Sequence, residues 1–363
     1  MISRSRIVIL LLIASFSCLA QKENERQPDL GKYEPYFISL PLPEKKSNPG
    51  FPVSAIEVYD ARFDTSGVGL IQKPADARAK LICMKRGTAW QIKEFYTSLI
   101  GPAISRRDTS ISLVCFIKKL FLSDKIYVDN NSRVSPRDPV FEIKSGVMAT
   151  FEFYAKRDKD FLPLYRFDSM ATGDKPVFNN GQNYVAAILM ASLRKLEILD
   201  PDKVRKYNKP KRVLEIDSFN YARFDIPILR EALRKGIYIN FENFKNNSPV
   251  DSPFSVDKGT RGDFLYVKNK EGEDILQTEI WGYSDGKNAY IYSAENYYKL
   301  IRHSNTFIIY GAKDFTNVRK LRLNFSLLDV AIPNSNYSKA RTVSSYRIIP
   351  SFYMLDMESG ELY

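Results

Sequence analysis

The sequence predicts an α+β protein: an N-terminal α+β sheet domain with helices on one face, followed by a small antiparallel β-barrel or sandwich domain with one helix. Three observations carry this. The first half orders its periodic segments as strand, strand, helix, several strands, helix, which stacks helices on a largely antiparallel sheet. The second half alternates short apolar strands with Gly-containing turns. Between them lies a cationic stretch with no apolar period, "DPDKVRKYNKPKR".

The elements follow in order. The chain opens "MISRSRIVILLLIASFSCLAQ". Arg4 and Arg6 precede an apolar run from Ile7 to Ala14, too short for a membrane span of about 20 residues and matched to a signal peptide over residues 1–20. Cleavage after Ala20 is expected, with lipidation at Cys18 as the alternative; Phe16 is bulky where a lipid-attachment box wants small residues. Loss of Arg4 and Arg6 takes the formal charge from +12 to +10. Residues 21–50, rich in Pro, Glu, Lys and Asn, read as a flexible tether.

The α+β domain is expected over 51–201. "VSAIEVYDARFD" and "AKLICM" are strands. Thr88 and Gln91 have capping-box form ahead of Ala89, Ile92, Phe95, Tyr96 and Leu99, a helix stopped by Gly101-Pro102. "SISLVCFIKKLFLS" is nearly apolar throughout and so central in its sheet. "GVMATFEFYAK" alternates with period two, placing Val147, Ala149, Phe151, Phe153 and Ala155 on one face, and "DFLPLYRFDS" is its hairpin partner. A second helix has the stripe Val185, Ile188, Leu189, Leu193 and Leu196.

A basic linker is expected over 202–212, carrying Lys203, Arg205, Lys206, Lys209, Lys211 and Arg212. These six cations are the candidate site for an anionic surface: lipid headgroups, acidic polysaccharide or nucleic acid. Tyr207 is the one aromatic among them, which disfavours a nucleic-acid groove. A solvated joint is the plainer reading of such a charge run.

The β-rich domain is expected over 213–363. It opens with a short helix capped by Asp225 and ended by Gly236. Hairpins turn near Glu271-Gly272, at Asp285-Gly286 and after His303. "KLRLNFSLLDVAI", "TVSSYRIIP" and "SFYMLDM" supply further strands. Trp281 and Tyr283 flank a turn and are candidates for stacking on a sugar, against the plainer reading of cross-strand packing.

Motif chemistry is sparse. "TSGVGLI" lacks a third Gly and a following helix, and neither a P-loop nor a G-x-S-x-G elbow occurs. "KNKEGED" lacks the alternating oxygen ligands of a calcium loop. His303 is the single histidine, so any Ser-His-Asp triad has to use it; a strand-end histidine without a role is the plainer expectation. No cofactor and no metal is expected. Cys83 and Cys115 sit in strand-like runs, where a disulfide and two buried thiols are both open. The tetrapeptide "ARFD" occurs at Ala61–Asp64 and Ala222–Asp225, with "RFD" at Arg166–Asp168. Alternation puts Arg and Asp on one strand face with Phe on the other, and the flanks do not align, so the copies read as solvated charge pairs at strand ends.

The run "SLVCFIKKLFLS…GVMATFEFYAKRDKDFLPLYRFDS…NYVAAILMASLRKLEIL" resembles the auxiliary lipoproteins of bacterial ABC transporters in its order of strand, extended hairpin and terminal helix. "KGIYINFENFKNNSP", "IWGYSDGKNAYI" and "FYMLDMESGEL" are similar to uncharacterised exported proteins of Gram-negative bacteria, which implies an envelope location and no particular activity. The expectation is a non-catalytic envelope accessory, periplasmic, outer-membrane-associated or extracellular, that contacts a partner protein or an anionic envelope component. A glycosidase-like hydrolase with an Asp/Glu pair is the alternative, and a surface adhesin a second.

Overall fold

The computed structural model describes residues 33–43, 46–72, 79–101, 111–129, 140–250, 253–259, 262–269, 271–277, 279–293, 296–311 and 351–362. The expected signal peptide and the first part of the tether lie outside these residues, as do the strands expected from "KLRLNFSLLDVAI" and "TVSSYRIIP". The architecture is α+β, with one large half-barrel sheet and two smaller sheets.

Strands β1 (Glu34–Ile38), β2 (Val53–Asp60), β3 (Gly69–Gln72) and β4 (Ala79–Met84) precede helix α1 (Thr88–Ile100). The long strands β5 (Ile111–Asp129), β6 (Val140–Arg157) and β7 (Asp160–Gly173) follow, then α2 (Val177–Ile198). Residues expected in the tether are thus partly structural: β1 runs parallel to β4, pairing Phe37 with Cys83. As expected of an apolar run, β5 is central, parallel to β2 and antiparallel to β6. At Gly69 the chain passes so close to β5 that a Cβ would land on the Leu122 carbonyl, so only glycine fits.

The period-two face of β6 is buried throughout, from Val147 to Ala155. It meets the α2 stripe of Val185, Ile188, Leu189, Leu193 and Leu196 and the α1 residues Ile92, Phe95, Tyr96 and Leu99 in one core. Asp124 on β5 accepts from the first amide of α2, Val177 N, at 2.7 Å and supplies the cap that Pro176 has no means to give. The capping box expected at Thr88 does not form. Gly87 is the N-cap of α1, while Gln91 accepts from Leu40 N at 3.0 Å and donates to Ile38 O. The tertiary structure uses Gln91 to hold the end of β1 and Thr88 to receive Arg62 instead.

The expected linker is not a joint. It forms α3 (Pro201–Tyr207) and β8 (Lys211–Arg212), and β8 adds to the large sheet by pairing with Asp160 and Phe161 of β7. Helix α4 (Val213–Phe224), which the sequence pattern does not announce, packs Ile216 against Val114, Phe116, Tyr154 and Phe161. Those residues face away from α1 and α2, so helices cover both faces of the sheet. Asp225 closes α4 rather than capping the next helix; α5 (Pro227–Arg230) is a single turn that starts from Ile226.

The remaining elements are β9 (Gly236–Tyr238), α6 (Phe241–Lys245), β10 (Phe254–Gly259), β11 (Gly262–Lys268), β12 (Asp274–Leu276), β13 (Gly282–Ser284), β14 (Ala289–Ser293), β15 (Asn296–His303), β16 (Thr306–Gly311) and β17 (Ser351–Met354). Six of these strands form one antiparallel sheet in the order β17-β16-β15-β14-β13-β9, and β10–β12 form another. The three expected turns are present, with Gly272, Gly286 and Ser304 at positive φ. Leu265 of β11 is buried with Tyr283 and Tyr297, so the small sheet lies on the larger one. Ile308 and Phe352 cluster with Leu70 and Ala79, which seats β16 and β17 against the first sheet.

Candidate functional site

Two places collect charge: the seam between the sheets, and the segment from α3 into α4. The seam begins with Arg62. Its guanidinium is 4% exposed and forks onto Asp60, with Nε and Nη2 each 2.7 Å from a carboxylate oxygen. It also donates to Gly67 O at 2.5 Å and to Thr88 Oγ1 at 3.1 Å. This copy of the motif is therefore buried, not a solvated pair. The sequence reading omitted Asp60, the partner that makes burial of Arg62 tolerable.

The second copy stays on the surface: Arg166 pairs with Asp168 at 2.8 Å and with Glu152 at 3.4 Å. The third sits on α4, where Arg223 binds Glu358 at 2.5 Å and donates to Ala61 O at 3.1 Å. Its guanidinium lies 4.9 Å from the Phe63 ring. The three copies share one neighbourhood although their flanks have nothing in common.

Between them, β5 carries a bulge. Ile117 pairs with Phe151 and Lys119 with Thr150, which leaves Lys118 as the extra residue. Lys118 is buried; it donates to Asn220 Oδ1 of α4 and lies 3.5 Å from Glu152. Burial lowers its affinity for a proton, and Glu152 works in the opposite direction. Lys119 pairs with Asp356. A narrow open cleft lies here, lined by Arg62, Lys119, Arg223, Asp356 and Glu358 among others. Each of these five has an ion-pair partner, so the geometry is that of a join. The carboxyls that burial raises, Asp124 and Asp263, lie outside the cleft lining, and Asp356 and Glu358, which line it, are each held by a cation.

His303 also bridges the sheets. Its Nε2 is 3.0 Å from Ser66 Oγ and 3.3 Å from Asp64 Oδ2. Both groups approach the same nitrogen, whereas a triad needs the carboxylate on the other one. The strand-end histidine thus has a structural task. Burial alone would raise the Asp64 carboxyl, but the His303 ring and the Ser66 hydroxyl and amide outweigh it and hold Asp64 below the usual carboxylate range.

Trp281 and Tyr283, the candidates for stacking on a sugar, are occupied by packing, the plainer reading. Tyr283 is 3% exposed and stacks on Tyr290 at 4.6 Å, with Phe254 and Tyr297 at its edges. Trp281 stacks on Phe244 at 4.5 Å. Tyr283 is taken up by cross-strand packing and Trp281 by packing on helix α6. Cys83 and Cys115 are free thiols. Strand β3 separates their strands, and Cys115 sits seven positions before Leu122, the residue that pairs with Gly69 opposite Ile82. At about 3.3 Å per residue that offset exceeds 20 Å, beyond disulfide reach.

The second place is the cationic segment. Lys203, Arg205 and Lys206 on α3, Lys209, and Lys211 and Arg212 on β8 are all exposed. Lys203 faces Asp200 at 3.8 Å; the other five form no ion pair with a described residue. The sequence reading missed the apolar side chains beside them. Ile198 is 88% exposed, Tyr207 86%, Leu214 72% and Tyr221 75%. Leu214 and Tyr221 are seven residues apart on α4 and so share one stripe, away from buried Ile216 and Asn220. Only the burial of α4's other side distinguishes these residues from core.

Among the described residues no helix is long and apolar enough to cross a membrane, and no group of His, Cys, Asp and Glu has the arrangement of a metal site. No protein-family model and no curated protein matches the sequence. A solved structure titled "Crystal structure of uncharacterized protein" is similar over 46% of this chain and 97% of its own, with 8% identity and a TM-score of 0.28. A likeness of that size carries no argument about fold or function.

Proposed function

We propose that this chain is a non-catalytic binding protein of the cell envelope that settles on anionic phospholipid through the segment from Lys203 to Tyr221. One observation carries the reading: five exposed cations without a described ion-pair partner lie in the same short segment as exposed Tyr207, Leu214 and Tyr221. A polysaccharide or a duplex would reward the cations and the Tyr rings but not exposed Leu214. A bilayer interface rewards all of them, with cations among the headgroups and Leu and Tyr at the acyl boundary. The signal-like leader supports export to an envelope compartment. The fully paired seam supports a role in contact rather than in bond-making.

Flotation of the purified protein with vesicles tests this. Binding is expected to phosphatidylcholine vesicles that contain phosphatidylglycerol, and not to phosphatidylcholine alone. The triple variant Lys206→Gln/Lys209→Gln/Lys211→Gln is expected to weaken it on the order of a hundredfold, at about 1 kcal/mol per cation. Equal binding to neutral vesicles, or none to either, overturns the proposal. Capture of a protein partner that survives the triple variant would also count against it.

A further inference from the structure

We infer that the pocket between α3 and the turn of the β6–β7 hairpin holds one phosphate group of an amphiphilic ligand, clasped by Arg157 and Arg205. The inference rests on the lipid-surface reading above and adds a discrete headgroup site to it. The pocket is a shallow hollow, about 330 Å³ when its open mouth is counted, so a phosphate sits at its rim and the glycerol and chain lie across the mouth. Its floor is apolar and buried: Ile111 is 3% exposed, Ala155 4% and Leu162 6%. Its rim is charged, formed by Arg157, Arg205 and Asp160, with the apolar Pro210 ring beside them.

The rim is what singles this pocket out. In the seam cleft every lining cation is paired. Here neither guanidinium forms an ion pair with a described residue, although both border the same apolar hollow. Asp160, the one carboxylate present, lies in the β7–β8 pairing opposite Arg212. Two guanidinium forks over hydrocarbon match an anion with several oxygens attached to an apolar stem. Arg205 also belongs to the exposed cationic segment, so the pocket opens beside the face proposed to meet the bilayer.

Titration calorimetry with dihexanoyl-phosphatidylglycerol below its micelle concentration, and separately with inorganic phosphate, tests the site. The short lipid is expected to bind one to one, and phosphate about tenfold more weakly, because it leaves the floor uncovered. Arg157→Gln and Arg205→Gln are each expected to weaken lipid binding about tenfold, and Arg157→Lys to restore only part of it. Both side chains are exposed, so the variants keep the fold. The triple lysine variant is expected to retain short-lipid binding while losing vesicles, which separates this site from the surface. Phosphate binding as tightly as lipid overturns the amphiphile assignment. Absence of saturable binding by either ligand overturns the site, whatever the vesicles show.

Discussion

The rings of Phe63 and Phe224 meet edge to face with centroids 5.0 Å apart. Two copies of one tetrapeptide therefore pack on each other, one in the loop after β2 and one at the end of α4. Arg223 completes the contact by reaching the Ala61 carbonyl and the Phe63 ring, with Glu358 on its far side. The repetition in sequence becomes a joint in space between the first sheet, α4 and the end of the chain.

Removal of Arg223 is expected to loosen all three parties. Arg223→Ala leaves Glu358 without its cation and the Phe63 ring uncovered, a loss of about 3 kcal/mol in urea denaturation. Phe63→Leu, which keeps most of the apolar volume, is expected to cost about 1 kcal/mol. Equal losses for the two would show that ring packing, not the ion pair, holds the joint.

Acid is expected to weaken the fold through Asp64. Its carboxyl titrates below the usual range in the folded chain because of His303 and Ser66. That contribution is complete above the unfolded value of about 4 and is lost as the pH falls through the lower folded value. Melting temperature measured from pH 7 to pH 3 should therefore fall at the acid end. Asp64→Asn should lower it at pH 7 and flatten the acid slope.

Lys118 and Glu152 are expected to differ as partners. Lys118→Met removes a desolvated ammonium and leaves Glu152 with Arg166, but it takes the donor from the Asn220 side-chain carbonyl, so the change is expected to cost about 1–2 kcal/mol. Glu152→Gln strips the buried ammonium of its carboxylate and is expected to cost about 3 kcal/mol. The reverse order in chemical denaturation would place the stabilising charge on the lysine.

Two free thiols should be countable. Thiol reagent in native buffer is expected to modify partly exposed Cys83 slowly, since burial and the nearby Asp64 charge both raise its pKa. Cys115 is fully enclosed and should react only in denaturant. Two thiols without prior reduction is the expected total once any cleaved leader is gone; zero would mean a bridge.

What could be read from the sequence followed periodicity. The β6 face and the α2 stripe were legible because every second or every third and fourth side chain is buried. Helix α4 was not, because "VLEIDSFNYARF" buries Ile216 and Asn220 and leaves Leu214 and Tyr221 outside. Its inward grip is largely polar, through Asn220 and Arg223, and hydropathy does not register that. The short β1 was hidden by the Pro and charge around it. At the candidate site the cations were visible as a run, whereas the exposed apolar partners looked like core. Arg62 was misjudged because its counter-ion stands outside the repeated tripeptide. For Trp281 and Tyr283 a place beside a turn left both sugar stacking and packing open, because it says nothing about which rings lie opposite.

The clasp of Lys119 to Asp356 joins positions 237 apart in the chain. A ribosome would release the first sheet, the helices α1, α2 and α4 that cover it and most of the second sheet before Asp356 and Glu358 emerged. Until then Lys119 and Arg223 would await their counter-charges, and Phe307 and Ile308 would lack β17. During that interval the nascent protein would expose an adhesive margin along β16, so its safe maturation depends on the arrival of β17 and the turn that carries Asp356 and Glu358.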